Sequence, residues 1–339
     1  MSETPFLNIT MPVFNRLQST QRVLLALRRT ERSVPFSITV VDNGSDADLV
    51  QKLVEFKKAG LIDKLFLLPE NMGISCAANL GWKMTDAPVY MKLDNDMVAQ
   101  VPDWPAKLFR IWSHGRPMST FGGAQSEEQL YAAPGAIETP DGTLGVCTAT
   151  LAGQAMFIPK AVSDFLGFWS EDYGLYGAED GDYGQRMRIA GLPQYYYHGP
   201  KFFEDTGRQD IAEVYTARQV DRAAMYDQLF RDGKGGTGLF LLNNYLFNMC
   251  IRNWNVPLRY EVADVSEDCR VKVVEREEYG PVREALLESK ARVDEKLASG
   301  RNEDIYSDDF MGTLRELWSA CGQGFEQVRA AVGSLAENA

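Results

Sequence analysis

Along the first hundred residues the spacing of apolar and polar positions changes repeatedly, and each change marks an element. Phe6 to Met11 is a short apolar-rich run of strand length. Arg16 to Arg32 follows, with Val23, Leu24 and Leu27 on one helical face. Pro35 to Val41 is a second strand, rich in β-branched residues, that ends at Asp42-Asn43-Gly44-Ser45. The next helix carries Leu49, Val50, Leu53 and Val54 on one face, and Gly60 is placed to stop it. Lys64 to Leu68, Ile74 to Met84 and Val89 to Leu93 read as strand, helix and strand. Strands separated by single helices predict an α/β fold with a parallel sheet. Ligands in such sheets lie beyond the carboxyl ends of the strands. Four strand ends fall there: Met11-Pro12, Asp42-Asn43, Glu70-Asn71 and Asp94-Asn95-Asp96.

The pattern is fainter from Trp104 to Pro159. Pro140-Asp141-Gly142 predicts a turn, and Thr143 to Pro159 one or two strands. Glu179 to Ala190 reads as a helix stopped by Gly191. Residues 232–238 (DGKGGTG) form the best candidate boundary, read as a linker in preference to a lid carrying Lys234. They do not fit GxxxxGK[ST], so no phosphate-binding P-loop is expected. The predicted organisation is a catalytic-type unit over 1–231, a connector over 232–238 and a mainly helical extension over 239–339. In the extension Val282, Leu286, Val293 and Leu297 share a face. Leu314, Leu317, Cys321, Phe325, Val328, Val332 and Leu335 step by three and four. Docking of this seam on the protein's own core is favoured over dimerisation, because Gly322 and Gly324 weaken a free-standing helix.

Composition narrows the function classes. The 339 residues are 45% hydrophobic and 24% charged, enough for a substantial core. A net charge of −12 argues against a nucleic-acid surface, which depends on Lys and Arg neutralising phosphates. The opening residues Met1 to Pro5 do not read as a signal peptide, and no apolar run is long enough to span a bilayer. Cys76, Cys147, Cys250, Cys269 and Cys321 are scattered, without a CxxC pair. A cytoplasmic protein with reduced thiols is therefore expected.

Two acidic clusters carry the candidate chemistry. Asp94-Asn95-Asp96 follows a buried-strand pattern, and an acid-any-acid triplet there can hold Mg²⁺ or Mn²⁺ against a diphosphate. Asp94 and Asp96 have the same parity, so an extended backbone turns both to one side. Glu179-Asp180 opens a helix, where a carboxylate could serve as a base. Together they point to metal-assisted transfer from a nucleotide-linked donor.

Six landmarks in order give this chain a resemblance to the family 2 glycosyltransferases of GT-A fold, over residues 6 to 205. They are Met11-Pro12-Val13-Phe14-Asn15-Arg16, Val41-Asp42-Asn43-Gly44-Ser45, Asn71-Met72-Gly73-Ile74-Ser75 with Asn79, Asp94-Asn95-Asp96, Gly153-Gln154-Ala155-Met156, and Gly177-Ala178-Glu179-Asp180-Gly181-Asp182 with Arg186 and Ala190-Gly191. The resemblance implies a Rossmann-like, mostly parallel sheet flanked by helices, and inverting transfer of a sugar from a nucleoside diphosphate to an acceptor hydroxyl. Pro12, Asn15, Asp42, Asn43, Asn71, Gly73, Asn79, Asp94 and Asn95 would line the donor site, with Asp42 and Asn43 toward base and ribose. Relatives often carry a second acid where this chain has Asn43. Asp96, with Asp94, would hold Mn²⁺ or Mg²⁺. Asp180 would be the general base and Glu179 its helper. Gly153 and Gln154 would meet the substrate. Trp169, Tyr173 and Tyr176, just before the acidic pair, read equally as aromatics that stack on sugar faces and as core. Asp182 and Arg186 read as an ordinary helix ion pair.

One departure concerns the metal. Relatives often carry a metal-binding His about a dozen residues after the Ala-Gly. Here His198 comes earlier and Glu204-Asp205 stand near that place, leaving His198, Glu204 and Asp205 as third-ligand candidates. No Gln-x-x-Arg-Trp motif follows the acidic pair, which argues against a processive synthase. A UDP-sugar donor, a glycan, glycolipid or glycoprotein acceptor, and bacterial-type surface glycan assembly are the expected setting. Peripheral membrane contact and a homodimer through the C-terminal helices are compatible with it. A sugar nucleotidyltransferase would need a Gly-rich, basic triphosphate loop after the first strand, where this chain reads Met11 to Asn15. A non-catalytic carbohydrate-binding scaffold on the same fold is the other alternative.

Overall fold

The computed structural model describes residues 6–114, 118–122, 137–146, 151–175, 177–199, 201–207 and 237–323. Strands β1 (Leu7–Val13), β2 (Phe36–Asp42), β3 (Lys64–Leu67) and β4 (Val89–Leu93) alternate with helices α1 (Leu17–Arg28), α2 (Ala47–Lys58) and α3 (Ile74–Lys83). All seven residues of β1 are buried, as expected of a strand covered on both faces. The strands are parallel in the order β3-β2-β1-β4. Their register brings Val13 level with Asp42 and Asp42 level with Leu67, so the loops after β1, β2 and β3 leave the sheet at one rim. Thr10 pairs with Lys92, which delivers Asp94, Asn95 and Asp96 to the same rim.

The chain continues through β5 (Met97–Ala99), α4 (Trp104–His114), β6 (Thr120–Gly122), β7 (Ile137–Thr139), β8 (Gly142–Val146), β9 (Ala155–Pro159), α5 (Lys160–Leu166), α6 (Glu179–Ile189), β10 (Gln194–His198) and β11 (Phe203–Asp205). The central sheet reaches nine strands, β3-β2-β1-β4-β9-β6-β10-β8-β7, with only β9 and β8 running against the rest. This is the mostly parallel sheet that the sequence predicts. The weakly patterned stretch from Thr143 to Pro159 supplies two strands, and Pro140-Asp141 turns the β7–β8 hairpin. A separate ribbon pairs β11 with β5, setting Asp205 opposite Met97.

The C-terminal extension contains α7 (Thr237–Asn248), α8 (Tyr279–Ala298), a 3₁₀ turn (Asn302–Tyr306) and α9 (Asp308–Ala320). Thr237 and Gly238 open α7, while residues 232–236 of the expected linker lie outside the described residues. Between α7 and α8 a hairpin, β12 (Tyr260–Val265) with β13 (Val271–Glu275), adds strands to a tail that reads as helical. The Leu67 amide donates to the Cys269 carbonyl at 2.8 Å, and Val271 packs on Phe66, Ala77 and Leu80, so the hairpin grips β3 and α3. Leu242, Leu246, Val282, Leu286, Leu314 and Trp318 form a core with Tyr173, which precedes α6. The seam from Leu314 to Cys321 thus faces the protein's own interior. Its continuation at Phe325, Val328, Val332 and Leu335 lies outside the described residues.

Candidate active site

Four asparagines knit the rim. Asn15, in the left-handed region at φ 60, accepts from the Asp46 amide through its side chain, and its own amide donates to Ser45 Oγ. Asn43 donates to Asn71 Oδ1 at 2.9 Å and accepts from the Met72 amide, while Asn71 also accepts from the Gly73 amide. Asn95 donates to the Asn15 carbonyl and to Thr20 Oγ1. The polar atoms of these side chains hold loop to loop. Gly73, at φ 94, is required: a Cβ there would lie 2.3 Å from the Gly174 carbonyl oxygen. Asn79 is 1% exposed and bonds Trp169 backbone atoms and Glu171, fastening α3 to the stretch before α6. Asp42 differs from all of these. One of its oxygens accepts from the Ser45 amide, whereas Oδ1 is buried without a partner among the described residues. Burial pushes its carboxyl above the usual range.

At the end of β4 the carboxylates gather. Asp94 is ion-paired with Lys92, a lysine only 2% exposed, and the Asp94 amide donates to the Gln154 carbonyl. Burial pushes the Asp94 carboxyl up to about 6, Lys92 opposes the rise, and the charges of Asp96 and Asp180 add to it. Asp96 pairs with Arg16 Nη1 at 2.5 Å, and burial raises its carboxyl against that pairing, with Asp205 adding to the rise. Asp205 arrives through the β5–β11 ribbon. The Thr206 amide and hydroxyl both donate to the Asp96 carbonyl at 2.9 Å, locking 205–207 over Asp96. Of the three third-ligand candidates, Asp205 stands beside Asp96. Glu204 is exposed opposite Val98, and His198 pairs with Thr143 in the outer part of the sheet.

The first turn of α6 faces this cluster. Ala178, at φ 67, turns the chain into the helix. Asp180 Oδ2 accepts from the Gly153 amide at 3.0 Å and Oδ1 from the Gly181 amide at 2.7 Å, which fixes the carboxylate. Glu179 is 7% exposed with Oε2 unpartnered among the described residues, and burial pushes its carboxyl up to about 7, with Asp180 adding to the rise. Behind the helix, Asp182 pairs with Arg186 and accepts from Tyr173 Oη at 2.6 Å. Arg186 also donates to the carbonyls of Leu166, Phe168 and Trp254. This pair is 0% and 1% exposed, so it is a buried anchor rather than the surface pair its spacing suggests. Asp172, Arg252, Asn243 and Tyr279 continue the network into the extension.

Of the two readings open for Trp169, the structure favours core. Trp169 is 1% exposed, its ring lies beneath Gly153, and it packs against Trp82 and Tyr183, so neither face is open to a sugar. Tyr176 lies outside the described residues. Gln154 is half-buried, with its amide 3.5 Å from Asp205. The sequence reading passed over Lys92 and Arg16, the cations of the cluster. A lysine inside an otherwise apolar strand was the available signal for the first.

Among the described residues no three His, Cys, Asp or Glu side chains converge to hold a metal by themselves. The donor set does suit Mg²⁺ or Mn²⁺ completed by a ligand's phosphates, since these ions commonly take one or two protein carboxylates and leave the other positions to phosphate and water. Asp96 and Asp205 would be the two, and a cation would relieve their mutual repulsion.

Residues 8–132 match the family model described as Glycosyl transferase family 2. Over this segment the chain is similar to the family 2 glycosyltransferases. Its match runs from β1 past the acidic triplet, and the sheet is mostly parallel and flanked by helices, as the resemblance implies. Among solved structures the chain is similar to the mannosyltransferase PcManGT from Pyrobaculum calidifontis in complex with GDP-Man and Mn²⁺. Identity is 15% over 95% of this chain and 87% of that one, with a TM-score of 0.48. It is also similar to S. aureus TarS 1–349, at 13% identity over 98% and 92% of the two chains and a TM-score of 0.46. A third likeness is to GalNAc-T7 with UDP, GalNAc and Mn²⁺, at 18% identity over 58% of this chain and a TM-score of 0.45. The chain spans 43% of the length of GalNAc-T7 and of a longer S. aureus TarS structure. No curated protein matches the sequence.

Proposed function

We propose that this chain works as an inverting, metal-dependent glycosyltransferase, moving one sugar from a nucleoside diphosphate, UDP first among the candidates, to an acceptor hydroxyl. The observation that carries the reading is convergence. The charges of Asp96 and Asp180 act on Asp94 and that of Asp205 on Asp96, at the rim where Asp42 Oδ1 is buried without a partner among the described residues. That oxygen suits a base N–H such as the uracil imide. The three stitched loops shape the cleft between Asp42 and Asp96. A divalent cation held by Asp96 and Asp205 would offset charge on the departing diphosphate.

Asp180 then accepts the proton of the acceptor hydroxyl while that oxygen bonds to the anomeric carbon. The carbon–phosphate-oxygen bond breaks, and its electron pair leaves with the nucleoside diphosphate. A positioned carboxylate contributes about two to four powers of ten in such a step. The backbone amides of Gly153 and Gly181 keep it in place. Attack from the side opposite the leaving group inverts the sugar. Glu179 borders the acceptor side of Asp180.

Hexosyl and N-acetylhexosaminyl donors both suit the reading, as do glycan, glycolipid and glycoprotein acceptors in bacterial-type surface glycan assembly on the cytoplasmic side. Among the described residues no helix is long and apolar enough to cross a membrane. Incubation with a panel of nucleotide sugars and Mn²⁺, followed by NMR of the anomeric proton, tests the proposal. One donor should be cleaved slowly with the inverted sugar appearing first, and Asp180→Asn should stop it. Cleavage of no donor, or first release of the retained anomer, would refute it.

A further inference from the structure

We propose that Arg16 and the divalent cation are alternative partners of Asp96. The guanidinium holds the carboxylate in the donor-free protein and passes to the donor's diphosphate when cation and donor arrive together. This rests on the donor-site reading above.

The backbone around Arg16 is fixed while its side chain has somewhere to go. Arg16 is the N-terminal cap residue of α1 at φ 60, ψ 57, and its side chain makes no cap bond. Its carbonyl accepts from the Thr20 amide and hydroxyl. The preceding Asn15 is tied to Ser45, Asp46 and Asn95. Two consecutive residues other than glycine in the left-handed region aim the guanidinium across the rim from β1 to the end of β4. There Nη1 meets Asp96 Oδ2.

Asp96 has little room for two cationic partners. Gly207 closes one side of the carboxylate, since a Cβ on it would lie 2.0 Å from Oδ2. The other charged neighbours are Asp205, Asp94 through its proximity, and Lys92, which is already paired with Asp94. A divalent ion on Asp96 would therefore sit at ion-pair distance from a permanently charged guanidinium, and one of them must leave. Diphosphate at the rim gives the displaced guanidinium a better partner, because Arg matches phosphate oxygens with two parallel N–H bonds. Cation alone must break the Arg16–Asp96 pair and offers nothing in return. The exchange thus makes cation and nucleotide bind cooperatively, with Arg16 carrying the coupling.

Mn²⁺ binding can be followed by the loss of the free aquo-ion EPR signal, with and without UDP or GDP, in wild type, Arg16→Met and Arg16→Lys. Wild type should bind Mn²⁺ weakly alone and about ten-fold more tightly with nucleotide, within the usual range of coupling. Arg16→Met should bind Mn²⁺ alone more tightly than wild type, by a similar factor, and lose most of the nucleotide effect. Arg16→Lys, which keeps the charge without the fork, should move the same way by less, and it carries the test if the methionine variant does not fold. Unchanged or weaker Mn²⁺ binding in the variants, with cooperative binding in wild type, would overturn the exchange alone. No Mn²⁺ binding in wild type even with nucleotide would overturn the donor-site reading and the exchange with it.

Discussion

Replacing Glu179 by Gln removes a charge that the fold shelters badly. The side chain is 7% exposed, Oε2 has no partner among the described residues, and Asp180 and Asp94 stand nearby. Its carboxyl is pushed from the ordinary 4.5 up to about 7. At 1.36 kcal/mol per unit, holding it ionised in the folded protein costs about 3 kcal/mol. Because the folded pKa lies above the unfolded one, the folded protein binds the extra proton between about pH 4.5 and pH 7. The stabilisation is complete below that window and is lost as pH rises through it. The amide avoids this loss, although it leaves polar atoms poorly paired at about 1–3 kcal/mol. The diagnostic quantity is the pH dependence of the difference. Urea unfolding of wild type and Glu179→Gln should show the variant gaining about 2–3 kcal/mol relative to wild type between pH 5 and pH 8. A difference that stays flat across that range would refute the argument, because the carboxyl would then not be held neutral by its surroundings.

Other consequences are equally direct. Arg186→Met leaves Asp182 charged and buried, and should cost about 3–5 kcal/mol in chemical denaturation. In Gly153→Ala the new Cβ would lie 2.9 Å from the Trp169 ring and 3.1 Å from Asp180 Cβ. Displacing the base by a fraction of an ångström should lower kcat by about ten- to a hundred-fold while nucleotide affinity, read by calorimetry, holds. With the Asp94 carboxyl near 6, its protonation removes a negative charge beside Asp96, so Mn²⁺–nucleotide affinity should fall as pH drops below that value. Affinity that is level from pH 7 to pH 5 would remove Asp94 from the site.

The first half of the fold was legible because local signals agreed there. Fully buried parallel strands read as continuous apolar runs, and the helices between them show one apolar face and glycine stops, as Leu49, Leu53 and Gly60 do. The rim was legible too, since polar strand ends in such a sheet gather on one side. Contacts that depend on tertiary packing were not. Asp182 and Arg186 have the spacing of a surface pair, and only the packing of Tyr173, Phe168 and Trp254 around them makes the pair buried. Asp205 meets Asp96 through a ribbon whose strands are far apart in sequence. Trp169, from its place before the acidic pair, reads equally as a sugar platform and as core, and only the enclosure by Trp82 and Tyr183 decides for core. The β12–β13 hairpin did leave a signal in the alternation of Val262, Val271 and Val273 with charged residues around Ser266 to Arg270, which the helical run of the tail obscured.

The most direct test of the donor site is calorimetry of UDP, GDP, CDP and dTDP, with and without Mn²⁺, on wild type and Asp96→Asn. Mn²⁺-dependent binding of one nucleotide, lost in the variant, is the predicted result. Absence of binding for all four under both conditions would contradict the account, and so would binding indifferent to both Mn²⁺ and Asp96.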